Sequence, residues 1–521
     1  MMRTLPFVSA VLALALFAGC DTEDVMPDPE PFPFNPDTLD FDAVADLDFD
    51  DYVQPLLAYR NVFGSDQATP EERLPDYAWD VLFGGDSEAG ATVIPFDADE
   101  SLLLKLVEDL PEGAEIPYPA LRDLEDDERR YLARWIEAGA PSSDGAIPFA
   151  DAEAVLYVCN QLAGRVAIVD AERRQVIRYV SLAPLGEAGG DMGALPHDVA
   201  VAADGSAWFV TLIAGTGGGS VLKLSADLTL DPADPAYLLA SETPPAGDET
   251  FQKPGMVVYD DVNDRLFVGR SFSADATSQG IGRLDAGTMA LDVLSTLNAS
   301  HPHAVNVSRD GRWAFTASLD LNNAVEVYDA ATGDLADVAF VSQDDDPSFV
   351  QYAVSPDGAT VALTSQTTAS VYLFGFDTDA GELSAATPVG VGAQPWHPVF
   401  APDGATVYVP NRLSQSVSFV DVAGGTVRET VGNEGGEIAF SEPHGSAVTA
   451  DGRFLFVSNR NLGNNETPVR PAPFPFEDAD GEPVPDTAYG FVTVVDTASG
   501  EVVAVIPMGA WASGMAIYDP R

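Results

Sequence analysis

Lysine is almost missing from this chain: Lys105, Lys223 and Lys253 are the only ones in 521 residues. Against 82 acidic residues stand 25 basic ones, a formal net charge of −57. Such a surface repels phosphate backbones, which sets nucleic acid aside as a partner. It stays solvated and soluble where counterions screen it. Cysteine is as scarce, with Cys20 and Cys159 alone, so no disulfide framework supports the fold. Cys159 falls in the apolar run "VLYVCN" and reads as a buried core residue. No Ser-His-Asp elbow, HExxH helix or phosphate-gripping P-loop is present. Past the first twenty residues, no apolar run is long enough to cross a bilayer.

What is present begins with a targeting pattern. Arg3 supplies a positive charge, Leu5 to Phe17 is almost wholly apolar, and small Ala18 and Gly19 precede Cys20. "LFAGC" resembles the lipobox of bacterial lipoproteins, with Phe17 where leucine is usual. The resemblance implies lipidation at Cys20 and an exported, membrane-anchored protein facing the periplasm or the cell surface. Cys159 would then have no partner. Residues 1–20 read as the lipoprotein signal peptide. Residues 21–40, dominated by proline and acid, read as an extended, self-repelling tether.

Residues 41–145 carry helical periodicity. Leu124, Glu128, Tyr131, Leu132, Trp135 and Ile136 fall on one stripe, stopped by Gly139 and Pro141. Val53-Gln54-Pro55, Ser101-Leu102-Leu103 and the run Trp135 to Pro141 are landmarks that resemble the planctomycete-type cytochrome c domain, a small all-α unit. The resemblance places the haem-attachment motif on Asn61-Val62-Phe63-Gly64-Ser65 and the axial methionine position on Ile116. None of these residues can hold haem: residues 41–141 contain no His, Cys or Met. The expectation is a haem-free domain with no cofactor, its vacated pocket filled by Tyr59, Phe63 and Trp79.

From residue 152 the texture changes to alternating strands. "HAVNVSRDG", "QYAVSPDG", "HPVFAPDG" and "GSAVTADG" recur at intervals of about 47 residues. Each ends in an Asp-Gly turn, and a second strand follows it: "WAFTAS", "TVALTS", "TVYVPN", "FLFVSN". With "YVCN" at Tyr157 and "YVPN" at Tyr408, residues 152–521 resemble the YVTN-type β-propeller. Second strands starting near Val155, Ala207, Arg265, Trp313, Thr360, Thr406 and Phe454 predict seven blades. The whole is thus mainly β, a seven-bladed β-propeller preceded by a small all-α cytochrome c-like domain. Because the array starts on a second strand and ends on a first-type strand, the last strand should complete the first blade.

Loops after first and third strands are tight, whereas those after second and fourth strands are long and emerge on one face. On that face fall all five histidines. His197, His303 and His444 share one repeat register just after proline. His397 is one residue off it, and His301 precedes Pro302. Arg270, Arg412 and Arg460 come at or just past the ends of second strands. These residues should ring one mouth of the central channel. Three readings stay open. The Pro-His positions are structural repeat features. The site takes a polar or anionic ligand through arginine forks and imidazoles. Or His197, His303 and His444 hold a transition metal. Some YVTN-like propellers resemble lactonases, and Glu437 and Glu442 lie near enough to His444 in sequence to act as a general base. The function expected from sequence is a binding scaffold, its long-loop face meeting an unknown protein or an anionic ligand. The alternative is an envelope enzyme or electron-transfer accessory working at the channel mouth.

Overall fold

The computed structural model describes residues 32–84, 91–104, 124–182, 195–213, 220–242, 253–270, 280–341, 347–433, 438–461 and 489–521. Cys20, Ile116 and Glu437 therefore lie outside the described residues.

Strands dominate, in seven antiparallel sheets arranged as the blades of a propeller. Second strands start at Val155, Ala207, Arg265, Trp313, Thr360, Thr406 and Phe454, as the repeat predicts. The ring closes between the chain's ends. Ala512–Tyr518 is the innermost strand of the first blade and pairs with Val155–Asn160, from Val155↔Tyr518 to Asn160↔Ala512. Closure removes two open sheet edges and joins residues more than 300 positions apart.

The Asp-Gly turns show why the repeat keeps its spelling. Gly311, Gly358, Gly404 and Gly452 have φ of 68–73°, a region open to glycine at no steric cost. The preceding aspartates accept the backbone N–H two residues on, at 2.9–3.1 Å. Ser308, Ser355 and Thr449 donate to the same carboxylates. Each turn is thus self-satisfied, and its strands keep their register.

The helical segment before the ring is built around Gln54–Arg60, Pro70–Arg73, Trp79–Gly84 and Asp126–Glu137. Asp126–Glu137 buries Glu128, Tyr131, Leu132, Trp135 and Ile136, the stripe read from sequence. Glu128 sits inside because Arg60 grips it, Nη2 to Oε1 at 2.7 Å. Residues 61–65, where the resemblance would put a haem-attachment motif, form a turn locked by side chains. Asn61 ends the first helix in the left-handed region (φ 52°), and Gly64 donates back to its carbonyl. Tyr77 donates to Asn61 Oδ1 and accepts the Phe63 N–H at 2.9 Å. Ser65 bonds Asp76.

Phe63 stacks on Tyr77 at 5.3 Å, and Trp79 meets Phe83 edge-on at 5.2 Å. Trp135 packs on Phe49 and Phe83. Tyr59 does not join them. It lies half-buried with Arg60 over its ring, because the same helix turns Leu56, Leu57 and Ala58 to the core. Tyr77, a residue the sequence reading passed over, takes the inner place instead.

The helical segment and the first two blades share one apolar core, which runs from Phe41 and Trp135 through Ile177 and Val180 to Trp208. Cys159 is fully buried in it. Smaller cores fill the grooves between other blades. Among the described residues, no helix is long and apolar enough to cross a membrane.

Candidate functional site

His197, His303 and His444 stand on innermost strands, with His301 just ahead of the strand of His303 and His397 just ahead of another, and hydroxyls or close backbone contacts link several innermost segments to the blade beside them. Thr211 donates to the carbonyl of Gly255 at 2.6 Å, Thr364 to that of Trp396 at 2.7 Å and Ser458 to that of Ser513 at 2.5 Å. All three occupy the fifth position of a second strand. In the third blade that position is Gly269, where a Cβ would come within 2.2 Å of the His303 carbonyl oxygen. Glycine is required there because the backbones of two blades touch. His397 and His444 are stapled directly, the N–H of one donating to the carbonyl of the other at 3.2 Å.

The five imidazoles gather where the innermost strands meet. Ring centroids are 6.3 Å apart for His301–His303, 5.8 Å for His303–His197, 6.2 Å for His197–His444 and 4.3 Å for His444–His397. All five are buried. His303 Nδ1 donates to the Val350 carbonyl at 2.7 Å, His197 Nδ1 faces Gln161 Oε1 at 3.4 Å, and His301 lies 3.7 Å from the Asp320 carboxylate. His197 thus stands next to both His303 and His444, and His397 lies near enough to His303 and His197 to act on them electrostatically. Among the described residues, no group of three or more His, Cys, Asp or Glu side chains could hold a metal ion.

Arg460 reaches the same cluster. Its guanidinium carbon lies 5.1 Å from the Trp396 ring and 4.7 Å from the Trp511 ring. Trp396 in turn packs on His444 at 4.4 Å. Arg412 stands beside Trp396 and pairs with Glu442 at 2.8 Å. Arg270 is buried at the end of its strand, next to the Gly269 that touches His303. Trp396, Trp511 and Gln161 were missed from sequence. The available signal was register: Trp396 directly precedes His397, and Trp511 directly precedes the last innermost strand. Glu442 and Trp511 both hold left-handed backbone (φ 52° and 63°) just before an innermost strand. For a bulky tryptophan this is strain, of the kind found where a side chain is held in place for a purpose.

Burial sets the electrostatics. It pulls all of His197, His303, His397 and His444 below the usual imidazole range, His303 to about 4, and the Arg460 charge adds to the effect. The rings are neutral at pH 7, each both a donor and an acceptor. Burial, with Arg412 beside it, pulls Arg460 down to about 9, still charged at neutral pH. Burial also pushes the Asp198 carboxyl, next in sequence to His197, up to about 8. Its Oδ2 accepts the Val257 N–H at 3.0 Å.

One deficit stands out. His197 Nε2, His397 Nε2, both ring nitrogens of His444, Arg460 Nε and the indole nitrogens of Trp396 and Trp511 are buried and find no hydrogen-bond partner among the described residues. Buried polar atoms left in this state cost about 1–3 kcal/mol each, so seven in one cluster mark a place where a ligand or ordered water supplies the missing bonds.

The comparisons with known proteins bear on the same blades. Residues 242–469 match the family model described as "Lactonase, 7-bladed beta-propeller". That span holds His301, His303, His397, His444 and all three arginines. Among solved structures, the chain is similar to a "putative 6-phosphogluconolactonase" from Bacteroides fragilis NCTC 9343, at 15% identity with a TM-score of 0.50, covering 70% of this chain and 98% of that one. No curated protein sequence matches. Because 1558 solved chains match in all, the fold selects no activity by itself. The likeness to solved chains and the matched repeats together make residues 155–518 a seven-bladed β-propeller.

Proposed function

We propose that the propeller binds a small anionic ligand at the His/Arg/Trp cluster where its blades meet. The observation that carries this is Arg460: a buried cation between two indoles, with no carboxylate hydrogen-bonded to it among the described residues, beside imidazole nitrogens that lack partners. Among the described residues, the carboxylate that acts on Arg460 is Glu442, which pairs with Arg412. A carboxylate or phosphate oxygen would satisfy Arg460 bidentately and accept from the indoles, and the neutral imidazoles would meet its hydroxyls. Isothermal titration calorimetry with acetate, phosphate, citrate and gluconate tests this. At least one anion should bind the wild type and lose affinity about tenfold or more in Arg460→Gln. Absence of binding across the panel would refute it.

A second reading is favoured by the family match over residues 242–469: the same cluster opens a lactone ring with water. The neutral imidazoles of His397 and His444 would serve as general base and Arg460 would hold the developing carboxylate. Release of protons from gluconolactone above the spontaneous rate, lost in His444→Asn, would support this reading over simple binding.

The surroundings belong to the same proposal. Anchoring through lipid on Cys20 would present the propeller outside the cytoplasm on its acidic tether, with the long-loop face free to meet a partner protein. The helical segment is a haem-free relative of the cytochrome c domain. Its support is the chain's own lack of His, Cys and Met from 41 to 141, and the Asn61–Tyr77–Phe63 hydrogen bonds that occupy the attachment turn.

A further inference from the structure

We infer that the helical segment is a saddle on the first blade, and that through Glu100, Arg165 and Gln161 it positions one wall of the histidine cluster. It straddles the blade. On one side, Trp135 and Phe83 belong to the core that continues into the groove between the first and second blades. On the other, Ala91 and Ile94 pack with Val158 and Val169 of the first blade and Phe456 and Met508 of the last. The blade's outer strand lies between, and from it the buried Arg178 reaches the Pro148 and Leu228 carbonyls with Phe96 against its guanidinium. An outer strand is a sheet edge, and here it is covered.

The saddle bears on the seam where the ring closes. Glu100 pairs with Arg165 at 2.6 Å, both largely buried. Arg165 faces Asn160 across the tight turn 161–164 and stacks on Tyr179 at 4.1 Å. That turn is held from three sides. Arg165 ties it to the helical segment. Gln161 N–H donates to the Trp511 carbonyl at 3.1 Å, and the Gln161 side chain faces His197 at 3.4 Å. Gly509 of the last blade sits against Ala163, Arg165 and Asn160. The helical segment therefore fixes the turn from which His197 and Trp511 take their places. Arg165, Glu100 and Gln161 are positioning residues; they act through the turn. That this wall belongs to a binding site rests on the proposed function, but the contacts and their test do not.

The test uses the full-length chain. Hydrogen exchange read by mass spectrometry should quicken about tenfold or more in residues 157–168 and 508–515 of Glu100→Ala and Arg165→Ala, with residues 349–377 unchanged. In ring-labelled protein the His197 nitrogen signals should move in both variants while those of His303 stay. Glu100→Gln, which keeps an acceptor for Arg165, should hold the wild-type His197 signal. Changes confined to residues 91–104, with His197 unmoved, would overturn the inference. Because either alanine variant can fail to fold, a protease site placed between Ser143 and Asp144 gives a second measurement. After cleavage the two pieces should elute together and melt in one transition. Separation, with the propeller keeping wild-type exchange at 157–168, would overturn it. None of these readouts needs a ligand, so failure of anion binding and failure of the saddle are distinguishable.

Discussion

The guanidinium of Arg460 lies 4.7 Å from the centre of the Trp511 indole, although their blades are the last and the first of the ring. The closing strand starts directly after Trp511. Ring closure and assembly of the cluster are therefore one event. A buried arginine with no bonded carboxylate among the described residues costs stability, while its stacking on two indoles returns part of that cost. Arg460→Met should leave the melting temperature unchanged or raise it, by up to about 1–4 kcal/mol in stability, and abolish anion binding. Thermal denaturation and calorimetry on one preparation check both halves.

The histidine cluster should make the propeller sensitive to acid. Folded-state pKa values of His197, His303, His397 and His444 lie below the unfolded value of 6.5. The unfolded chain then binds more protons as pH falls below 6.5, and stability falls with it. For His303 the window runs from 6.5 down to about 4, on the order of 3 kcal/mol when complete. Urea midpoints between pH 7.5 and 4.5 should drop, and His303→Gln should flatten the slope.

Asp198 should act in the opposite sense. Burial holds its carboxyl near 8, far above the unfolded value of 3.8. The folded chain keeps a proton that the unfolded chain releases, so this group lowers stability progressively as pH rises from about 4 to 8. Asp198→Asn retains an acceptor for the Val257 N–H. Its melting temperature should exceed the wild type's at pH 8 and converge with it near pH 4.

Gly269→Ala should be costly despite its small size. The new methyl would stand 2.2 Å from the His303 carbonyl oxygen, so one blade must move off its neighbour. A loss of about 1–3 kcal/mol is expected, with a displaced His303 signal in spectra of ring-labelled protein. Gly390→Ala, where nothing stands within 4 Å of the new atom, serves as the control.

In the helical segment, Glu128→Ala takes from Arg60 its buried partner but leaves Asp37 at 2.8 Å, and should cost about 1–3 kcal/mol. Because that segment shares its core with the first blade, the loss should lower the single melting transition of the whole chain. An early, separate transition would show that the segment melts alone.

Much of this architecture could be read in the residues. The Asp-Gly turns fix strand order and spacing through local chemistry, so seven second strands were placed to the residue. The proline-histidine register likewise put His197, His303 and His444 at matching positions, and the rings of His303 and His444 each stand next to that of His197. What a repeat does not encode is how far each side chain reaches across the axis. The clustering of the rings, the indoles around Arg460 and the Gln161–His197 contact arise between blades distant in sequence. Tyr77 was overlooked for the same reason: its hydrogen bonds go to Asn61 and Phe63, which no periodicity links to it. Arg270 fell in the right register but lies beside the backbone of His303, and the charges acting on the imidazoles come from Arg460 and Arg412.

The most direct measurement is of what the protein carries. Purified from its source organism into a volatile, anion-poor buffer, the chain can be weighed intact under native conditions, then denatured and its small molecules identified by mass. The proposed site should hold about one small anion per chain, released on unfolding and missing from Arg460→Gln prepared in parallel. A wild-type chain that carries nothing and whose histidine signals no anion of the calorimetric panel shifts would contradict it.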